Sequence, residues 1–447
     1  MSDDLPMGWV KTELGEIAQV VGGSTPKNSS DSSNFEQNGI PWITPSDLTG
    51  YEETYISRGR RDLSQKGFIS CGTKKLPKGS VLFSSRAPIG YCVIANNEVC
   101  TNQGFKSFVL FEGIIPEFLR YYLITSKSYI ESVASGTTFK EISASRIATV
   151  PFPLPPLNEQ RRIVDKLERI GDRNRTARNE LNHIPKLIAR YKQSVLAAAC
   201  SGKLTEDWRE INDCKTWEIT TLDAVANIVD PHPSHRTPKE FPDGIPYVGI
   251  GDIDSSGSFD FLNARKVSPD ILKEHQERYT LNKGDFVFGK IGTLGNVTPL
   301  PLGIEYTLSA NVILIQPKIS FVEPSYLMFF LQSPQTMKEI TNQSSSTSQA
   351  AFGIKKMRAF QFLMPDLQEQ KEIVKRVEKM FEKIDMMEQE YQKAAKLCDR
   401  LEQATLAKAF RGELLPQDPD DEPASVLLEQ VKREKQVQPK GKSVKSK

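Results

Sequence analysis

Two segments of this chain repeat one another and limit the fold more than any other feature. The first, PPLNEQRRIVDKLERI, runs from Pro155 to Ile170, and the second, PDLQEQKEIVKRVEKM, runs from Pro365 to Met380. The offset between them is 210 residues, so that Leu157 aligns with Leu367. An internal repeat at so long an interval predicts two copies of one structural unit.

Each repeat opens a long helix with an apolar stripe. Alternate steps of three and four residues from Ile163, or from Ile373, give a mostly apolar seam over about four heptads. Each helix is predicted to end at a glycine that can adopt the left-handed conformation, Gly202 in the first and Gly412 in the second. The sequence therefore predicts two helices of about 44 residues, each about 65 Å long.

Each apolar seam needs a partner. The two helices most simply bury their seams against each other within one chain, antiparallel, which predicts one globular region at either end of a rod. Alternatively, each helix packs on its own globular neighbour or pairs with another copy of the chain. Pro185 lies inside the first helix and aligns with Ala395 in the second, so a kink or break is expected in the first helix.

The rest of the chain divides around these helices. Residues 1–154 and 211–364 are predicted to form two similar globular regions, separated by a central helical segment at 155–210 and followed by a C-terminal one at 365–415. GIPWITPSDL in the first region matches GIPYVGIGDI in the second. Short strands between Gly, Pro and Asn turns predict a mixed α/β fold rich in strands. Residues 416–447, acidic and then basic, are predicted to be a disordered tail.

Composition limits the cellular location of the protein and the kinds of ligand it can bind. The acidic start MSDDLP is not followed by an apolar targeting segment, and no run is long enough to span a bilayer, which predicts a cytoplasmic protein without a membrane partner. The six cysteines show no CxxC spacing, which favours reduced buried thiols over a zinc site. The net charge is only +2, so a nucleic-acid surface would have to be a local basic patch.

The sequence offers little for catalysis. It contains no GxxxxGK[ST] phosphate loop, no GxGxxG motif at a helix start and no [ND]PP[YF] motif. His232 and His235 lie together in DPHPSHRTPKE, where a metal or acid–base pair is one interpretation and a loop contact to ligand or solvent is the favoured one. Four scattered histidines do not support a Ser/His/Asp triad. The chain is predicted to be a reader or a scaffold rather than an enzyme.

Several motifs occur together in this chain: the helix entries PPLNEQRRIV and PDLQEQKEIV, the helix exits LAAACSGKL and LAKAFRGEL, and the motifs IPW, LPKGSVLFSSRAPIG and TNQGF. With these motifs nearly the whole chain, roughly residues 1–415, resembles the specificity (S) subunits of type I restriction–modification enzymes. The second copy departs from the pattern in having PD where the first has PP.

The resemblance implies that each globular region is a target recognition domain for one half of a split, asymmetric DNA sequence, and that the helices fix the gap. It also implies two methyltransferase (M) subunits, which bind S-adenosylmethionine and methylate adenine N6, and two restriction (R) subunits, which use ATP and Mg²⁺. This chain itself would bind no cofactor and no metal. Half-sites read in the major groove from one face of B-DNA lie about 34 Å apart, one helical turn.

Two rival functions come from other classes. One is a two-headed coiled-coil adaptor that binds proteins without recognising DNA. The other is an enzyme whose catalytic domain lies on this chain, which the missing motifs disfavour. Salt-dependent binding to duplex DNA separates a reader from an adaptor, because phosphate contacts release counterions.

Several polar positions of the first region are candidates for DNA contact, and some also have a structural interpretation. Two alternatives stand for Arg86: it pairs with a guanine or a phosphate of DNA, or it holds an internal carboxylate. Asn102 and Gln103 carry the amides that read adenine but can equally hold a turn. Trp42 is expected in the core. The candidates are Ser24, Thr25, Lys27, Arg58, Arg60, Arg61, Ser84, Ser85, Arg86, Asn102, Gln103, Thr137, Thr138, Lys140 and Ser143.

The second region has candidates at the matching places. They are chosen by position in the repeat, since the polar residues between the shared apolar and glycine positions differ. Tyr247, like Trp42, is expected in the core. The candidates are Ser234, His235, Arg236, Lys239, Lys290, Asn311, Ser346, Thr347, Lys355 and Lys356.

Overall fold

The computed structural model describes residues 5–136, 140–213, 216–232, 234, 236–254, 257–290, 294–344 and 352–437. These residues form two compact units. The first unit comprises the chain up to Leu181 together with the chain from Ala394 onward, and the second comprises Asn182–Lys393. None of the helices in the described part of the chain has the length and apolar character needed to cross a bilayer.

The first unit is a strand-rich α/β fold. Its strands are β1 (Val10–Glu13), β2 (Ala18–Gly22), β3 (Phe35–Ile43), β4 (Tyr55–Ile56), β5 (Arg61–Leu63), β6 (Val81–Ser85), β7 (Ile89–Ala95), β8 (Cys100–Thr101), β9 (Phe105–Leu110) and β10 (Pro151–Leu154). Its helices before the second unit are α1 (Leu14–Ile17), α2 (Gln65–Ser70), α3 (Pro116–Thr125), α4 (Lys127–Ser132), α5 (Ala144–Ala148) and α6 (Leu157–Leu181).

These strands form a five-stranded sheet in the order β2-β9-β6-β7-β4, a three-stranded sheet in the order β5-β3-β8, and a β1-β10 pair. All residues of β6 are buried, because this strand lies at the centre of the larger sheet and both of its faces are covered. In the smaller sheet, β3 pairs with β8 in parallel, from Trp42 and Cys100 onward.

The second unit continues the chain with similar elements. Its strands are β11 (Glu218–Thr221), β12 (Ala226–Val229), β13 (Ile245–Val248), β14 (Lys266–Val267), β15 (Phe286–Gly289), β16 (Val297–Pro299), β17 (Thr307–Leu308), β18 (Val312–Pro317) and β19 (Gln361–Met364). Its helices are α7 (Ile184–Cys200), α8 (Glu206–Asn212), α9 (Leu222–Val225), α10 (Pro269–Gln276), α11 (Pro324–Gln332), α12 (Pro334–Gln343) and α13 (Ile354–Arg358). Two further helices, α14 (Leu367–Phe410) and α15 (Ala424–Val437), complete the described chain.

The sheets of the second unit repeat those of the first. The order β12-β18-β15-β16 corresponds to β2-β9-β6-β7, the order β14-β13-β17 corresponds to β5-β3-β8, and β11-β19 corresponds to β1-β10. The parallel pair also recurs, because β13 joins β17 in the same direction from Tyr247 and Thr307 onward. The prediction of two similar strand-rich α/β domains with two long helices is therefore confirmed.

The repeated EQ of the helix entries attaches each helix to its own domain. The indole Nε1 of Trp9 donates to Glu159 over 2.9 Å, and that of Trp217 donates to Glu369 over 3.0 Å. Both carboxylates are almost fully buried. Burial raises the pKa of Glu159, and the hydrogen bonds from Trp9 and Gln417 oppose this by stabilising the charged form.

The glutamine of each motif satisfies backbone groups of the adjacent globular chain. The side-chain oxygen of Gln160 accepts from the amide of Ile115 over 3.0 Å, and that of Gln370 accepts from the amide of Glu323 over 2.8 Å. Both glutamine side chains are fully buried. Because a buried amide without a partner is costly, the repeated motif is a structural requirement.

The two helical segments run antiparallel within each unit. In the first unit, Ile163 shares a core with Phe410 at one level, and the Asn174 side chain donates to the Cys398 carbonyl at another. In the second unit, Lys192 lies 3.5 Å from Asp385, and residues nearer the end of α7 share a core with the start of α14. The predicted antiparallel pairing within one chain is confirmed.

Pro185 divides the first long helix as expected. The helix ends at Leu181 and resumes at Ile184, with Pro185 in the first turn of α7. Proline lacks the amide that would bond the preceding turn, whereas a helix start requires no such amide. The aligned region of α14 contains Ala395 and is continuous over 44 residues.

The apolar seam is less buried than its period predicts. Ile163, Leu167, Ile373 and Val377 are buried near the globular cores. The three- and four-residue steps from Ile163 and Ile373 also place Tyr191, Met387 and Leu401 in the seam. Their exposed fractions, however, are 47%, 54% and 49%. A pair of helices can cover only part of each apolar face, and near the middle of these helices no sheet covers the remainder.

The prediction of a disordered tail from residue 416 is wrong for the residues described there. Helix α15 places Ala424, Leu427, Leu428 and Val431 in the core of the first unit. A Cβ built on Gly113 would lie 2.4 Å from Leu427, so the helix packs directly on that backbone.

Candidate nucleic-acid interface

A cleft of about 790 Å³ in the first unit brings together the predicted arginine cluster and a serine-rich loop. We call it the arginine cleft; it is lined by Ser29, Ser30, Ser32, Phe35, Glu36, Gln37, Asn38, Arg58, Gly59, Arg60, Arg61 and Asp62. Its floor is built by an irregularity in β3, where both Phe35 and Ile40 pair with Leu63 and the residues between them bulge outward. Bulges of this kind commonly re-aim side chains at functional sites.

The three arginines differ in how they are held. Arg58 pairs with Asp62 over 2.9 Å, and Arg61 lies over the Phe35 ring at 4.2 Å from its centroid. Arg60 is 71% exposed, with Asp47 at 3.6 Å. The cleft therefore presents guanidinium groups that are already oriented, and polar side chains beside them.

The loop from Ser24 to Lys27 lies beside the TNQGF turn. The Ser24 amide donates to the Thr101 carbonyl over 3.0 Å, and Thr25 is hydrogen-bonded to Gln103. Lys27 and Gln103 are exposed. Asn102 accepts from the amide of Gly104 over 2.9 Å, so the turn-holding alternative applies to that residue.

Ser84 and Ser85 cannot serve as DNA contacts in this structure, which corrects the sequence prediction. Both are fully buried in β6. The Ser84 hydroxyl donates to the Pro88 carbonyl and accepts from the Tyr91 amide, each over 2.8 Å. The Ser85 hydroxyl donates to the Gly104 carbonyl over 3.1 Å. These hydroxyls satisfy backbone groups of the strand and the following turn.

A second depression, of about 600 Å³, contains Arg86 and Lys140. Glu141 lies 3.5 Å from Arg86 and 3.3 Å from Lys106, so the carboxylate alternative for Arg86 is the one that the structure contains. Ser143 caps helix α5 by accepting from the Arg146 amide over 3.2 Å. Thr137 and Thr138 lie outside the described residues.

In the second unit, Ser234, Arg236 and Lys239 are exposed on one segment. The Ser234 hydroxyl lies 2.7 Å from the Nε2 of His232, and the Arg236 carbonyl lies 2.9 Å from the same atom. His235 lies outside the described residues. Among the residues that are described, no group of three or more His, Cys, Asp or Glu side chains could hold a metal ion.

Lys290, another candidate of the second unit, is internal, which corrects its assignment. It is only 8% exposed and pairs with Asp230 over 3.3 Å. Asn311 is half-buried, and its side-chain oxygen accepts from the Ile250 amide over 3.2 Å and from the Ser309 hydroxyl. The oxygen of Asn311 therefore holds the loop that follows β13.

The remaining candidates lie near the entry to α14. Lys355 and Lys356 are exposed on α13, and the Lys356 ammonium donates to the Gln343 carbonyl. Ser346 and Thr347 lie outside the described residues. Trp42 and Tyr247 are 2% and 6% exposed, which confirms that they belong to the core.

Sequence reasoning missed several residues of the arginine cleft. Gln37 and Asn38 project from the bulge in β3, and Asn38 has a φ of +60°, a value that asparagine tolerates better than most residues. The polar run SSDSSNFEQNG was the available signal. It marks a loop, but it does not show which residues face the arginines, because that depends on the pairing of β3 with β5.

The sequence of the chain matches a known family. The type I restriction modification DNA specificity domain matches residues 6–186 and again residues 214–396. The MjaIX specificity subunit of Methanocaldococcus jannaschii is 39% identical over 182 residues, which is 40% of this chain and 41% of that relative's length. The EcoBI specificity subunit of Escherichia coli is 27% identical over 455 residues, covering 96% of this chain and 92% of the relative.

Solved structures show the same fold. A chain from work on the assembly and conformational transition of a type I R-M system matches with a TM-score of 0.63 and 19% identity, covering 92% of this chain and all of the other. The HsdS subunit from Thermoanaerobacter tengcongensis matches with a TM-score of 0.58 and 19% identity, over 92% of this chain and 99% of that one. The family's domain thus occurs twice here and covers most of the sequence, and the chain belongs to the type I restriction modification DNA specificity domain family.

Proposed function

We propose that this chain is the non-catalytic, DNA-binding specificity subunit of a type I restriction–modification complex. The observation that carries the proposal is the specificity domain in two copies, each with the same sheet orders and the same attachment to a long helix. The structural residues are repeated, such as Trp9 and Trp217, whereas the exposed polar residues differ. One fold with two sets of polar side chains suits the reading of two different half-sites.

The basic residues that remain exposed support duplex DNA as the ligand. Arg60 and Lys27 in the first unit, and Arg236 and Lys239 in the second, are exposed on loops. Positive side chains on loops contact phosphates, and neighbouring amides such as those of Gln37 and Asn38 can read base edges. We propose that the target is bipartite and asymmetric and that the paired helices set the gap.

Partner subunits would supply the chemistry. We propose that two M subunits bind S-adenosylmethionine, that two R subunits use ATP and Mg²⁺, and that this chain binds none of these cofactors. The complex would act in the cytoplasm. Family membership supports these proposals for the partner subunits.

A repeated apolar pair on the helices supports two equivalent docking sites. Leu187 and Tyr191 on α7 are 58% and 47% exposed. They are four residues apart, so they lie on the same face of the helix. Leu397 and Leu401 on α14 occupy the same places in the repeat, 210 residues later, and are 62% and 49% exposed. Single exposed apolar residues are common, but the recurrence of a matched pair in both copies is not expected by chance. We propose that each pair accepts an apolar helix of one M subunit.

Binding to duplex DNA tests the proposal as a whole. The chain, purified with its M partner, is expected to bind duplex with an affinity that falls steeply with salt. Mapping methylated adenines in the DNA of cells that carry the complex is expected to give a split target. If the complex shows no duplex binding at low salt, the reader is rejected in favour of a protein-binding adaptor.

Native mass spectrometry of the complex tests the docking sites. The double variant Leu187→Asp/Tyr191→Asp and the double variant Leu397→Asp/Leu401→Asp are each expected to lose one M subunit, and the fourfold variant to lose both. Lys186→Asp and Lys396→Asp are matched controls, because these exposed lysines also align in the repeat. Full retention of both M subunits by the fourfold variant would contradict the docking sites and leave the DNA-binding proposal standing.

A further inference from the structure

The second unit contains a chain of hydrogen bonds between two buried histidines that the DNA-binding proposal does not use. His232 is 4% exposed and His275 is fully buried on α10. The Nδ1 of His232 lies 2.8 Å from the Nε2 of His275. This series of hydrogen bonds begins at the segment that we call the Ser234 loop, defined by Asp230, His232, Ser234 and Arg236.

One arrangement of protons satisfies this hydrogen-bond chain with a single proton on each ring. The Arg236 carbonyl can only accept, so the Nε2 of His232 carries a proton and donates to it over 2.9 Å. In this arrangement the Nδ1 of His232 accepts from His275 Nε2, and the Nδ1 of His275 accepts from the Thr307 hydroxyl.

The other end of the chain is fixed in the core. Thr307 lies in β17, which pairs with β13, and is 1% exposed. The Tyr279 hydroxyl donates to Thr307 over 3.2 Å and accepts from the Leu308 amide over 3.4 Å. The hydrogen bonds thus connect the backbone of an exposed loop to a buried strand, through two rings that touch edge to face.

The surroundings favour an uncharged His275. Burial, and then His232, lower the pKa of His275 to about 4. The nearest charged groups on its own helix are Glu274 and Arg278, which act in opposite directions. On the loop side, Asp230 pairs with Lys290, and the Tyr247 ring lies 5.6 Å from His232. A second proton on the His275 imidazole would place an uncompensated charge in this buried site.

We propose that His232 and His275 are positioning residues that hold the Ser234 loop in the conformation in which Ser234 and Arg236 contact DNA. This inference rests on the proposed function, because it assigns the loop a DNA contact. Neither histidine touches DNA. The hydrogen bond from His232 keeps the Arg236 carbonyl in place and so fixes the direction in which the Arg236 side chain leaves the backbone.

The first unit is an internal control. All four histidines, His183, His232, His235 and His275, lie between residues 182 and 393, so the first unit contains none. Its comparable loop is held without a titrating group, since the Ser24 carbonyl accepts from the Trp42 indole over 3.2 Å. A pH effect on recognition that arises from the histidine pair must therefore appear at one half-site alone.

The experiment uses the complete complex with its M subunits and its mapped target. Methylation rates are compared on the intact target and on duplexes with either half-site scrambled, which gives a discrimination ratio for each half-site. His275→Leu removes the donor to His232, whereas His275→Gln retains an amide donor at that position. His275→Leu is expected to lower discrimination at one half-site about tenfold, the size of one lost internal hydrogen bond. His275→Gln is expected to stay close to the unchanged protein.

A pH series separates positioning from simple stability. The pKa of His275 is about 4 while the ring is buried and would return to its ordinary value of 6.5 if the loop were released, so acid below about pH 6.5 favours release. Between about pH 7.5 and about pH 5, the unchanged complex is therefore expected to lose discrimination at that half-site, whereas the other half-site, the one weakened by Arg60→Gln, remains constant. Equal losses at both half-sites, or full discrimination in His275→Leu, would overturn the inference. If His275→Leu does not fold, the His275→Gln variant and the pH series still decide. If the unchanged complex binds no duplex, it is the proposed function that fails.

Discussion

Arg58 and Arg60 of the arginine cleft each have a carboxylate partner, but the Arg60 side chain is more exposed to solvent. Its side chain is 71% exposed, against 44% for Arg58, and its carboxylate partner Asp47 lies at 3.6 Å rather than 2.9 Å. Its Nη2 also donates to the Ser46 carbonyl over 2.8 Å, which leaves its remaining N–H groups for a phosphate. Ser84, by contrast, is fully buried and uses its hydroxyl within the fold.

Substituting these two residues is expected to separate DNA contact from fold stability. Arg60→Gln should lower duplex affinity several-fold and reduce the slope of log affinity against log salt by about one, because one phosphate contact is lost. Ser84→Ala should leave that slope unchanged and lower the free energy of unfolding by about 1–2 kcal/mol, because the Tyr91 amide loses its partner. Salt-dependent binding and chemical denaturation measure the two effects. An unchanged slope in Arg60→Gln would remove the arginine cleft from the interface.

Residue types predicted only in part which polar side chains are exposed at the candidate interface. The candidates included Arg58, Arg60 and Arg61, which do line one cleft, because a run of arginines stays on one short segment in any fold. They also included Ser84 and Lys290, which are buried. Burial depends on which strand lies at the centre of a sheet, and that order is set by pairings between residues far apart in the sequence. A polar side chain at a strand end looks the same whether it faces solvent or a neighbouring turn.

Helix α15 is a whole element whose position could not be predicted from its own sequence, because it depends on contacts with residues far away in the chain. Its amphipathic turn is visible in VLLEQVKREK, but charged flanking sequence predicted a disordered tail. The surface that orders it lies more than 300 residues earlier in the chain. The Glu112 amide donates to Glu434 over 3.1 Å, and Lys435 pairs with Glu16 over 2.8 Å. The long helices were predictable because their period repeats over many turns, whereas α15 depends on a partner that its own sequence does not reveal.

A chain that ends at Pro423 is expected to destabilise the first unit and not the second. Removing α15 exposes the apolar surface that Leu427, Leu428 and Val431 cover, at a cost of up to about 5 kcal/mol. Hydrogen exchange should then rise in strands of the first unit, such as β6, and remain unchanged in β15. Gly113→Ala, which adds a Cβ 2.4 Å from Leu427, should act in the same direction to a smaller extent. Unaltered exchange in both variants would mean that α15 packs without stabilising its domain.

The whole molecule is a duplication in which structure is kept and polar surface is changed. The Trp–Glu and Gln–amide contacts recur with nearly equal distances, 2.9 and 3.0 Å for the first and 3.0 and 2.8 Å for the second. The repeat was predictable from the 210-residue offset because buried contacts tolerate few substitutions. The differences fall in loops that face outward, where a duplicated gene can diverge without loss of folding.

If the paired helices set the gap, a change in their length must change the gap and leave both half-site sequences unchanged. Seven residues add about 10 Å to a helix and rotate its continuation by only about 20°, so one heptad inserted at facing levels of both helices keeps their apolar faces together. Since base pairs rise by about 3.4 Å, the recognised gap should lengthen by about three base pairs. Three base pairs also turn the duplex by about 100°, so the DNA is expected to twist in the complex to present the second half-site. Mapping of methylated adenines gives both quantities in one measurement.

The phase of the insertion provides the control. Five inserted residues rotate the continuing helix by about 140°, which would turn the two apolar faces apart and should abolish methylation of any split target. The heptad variant must also retain both M subunits in native mass spectrometry, so that a lost docking site is not mistaken for a changed gap. New half-site sequences with the original gap would contradict the role of the helices as a spacer, because they would show that helix length acts on base recognition within each domain.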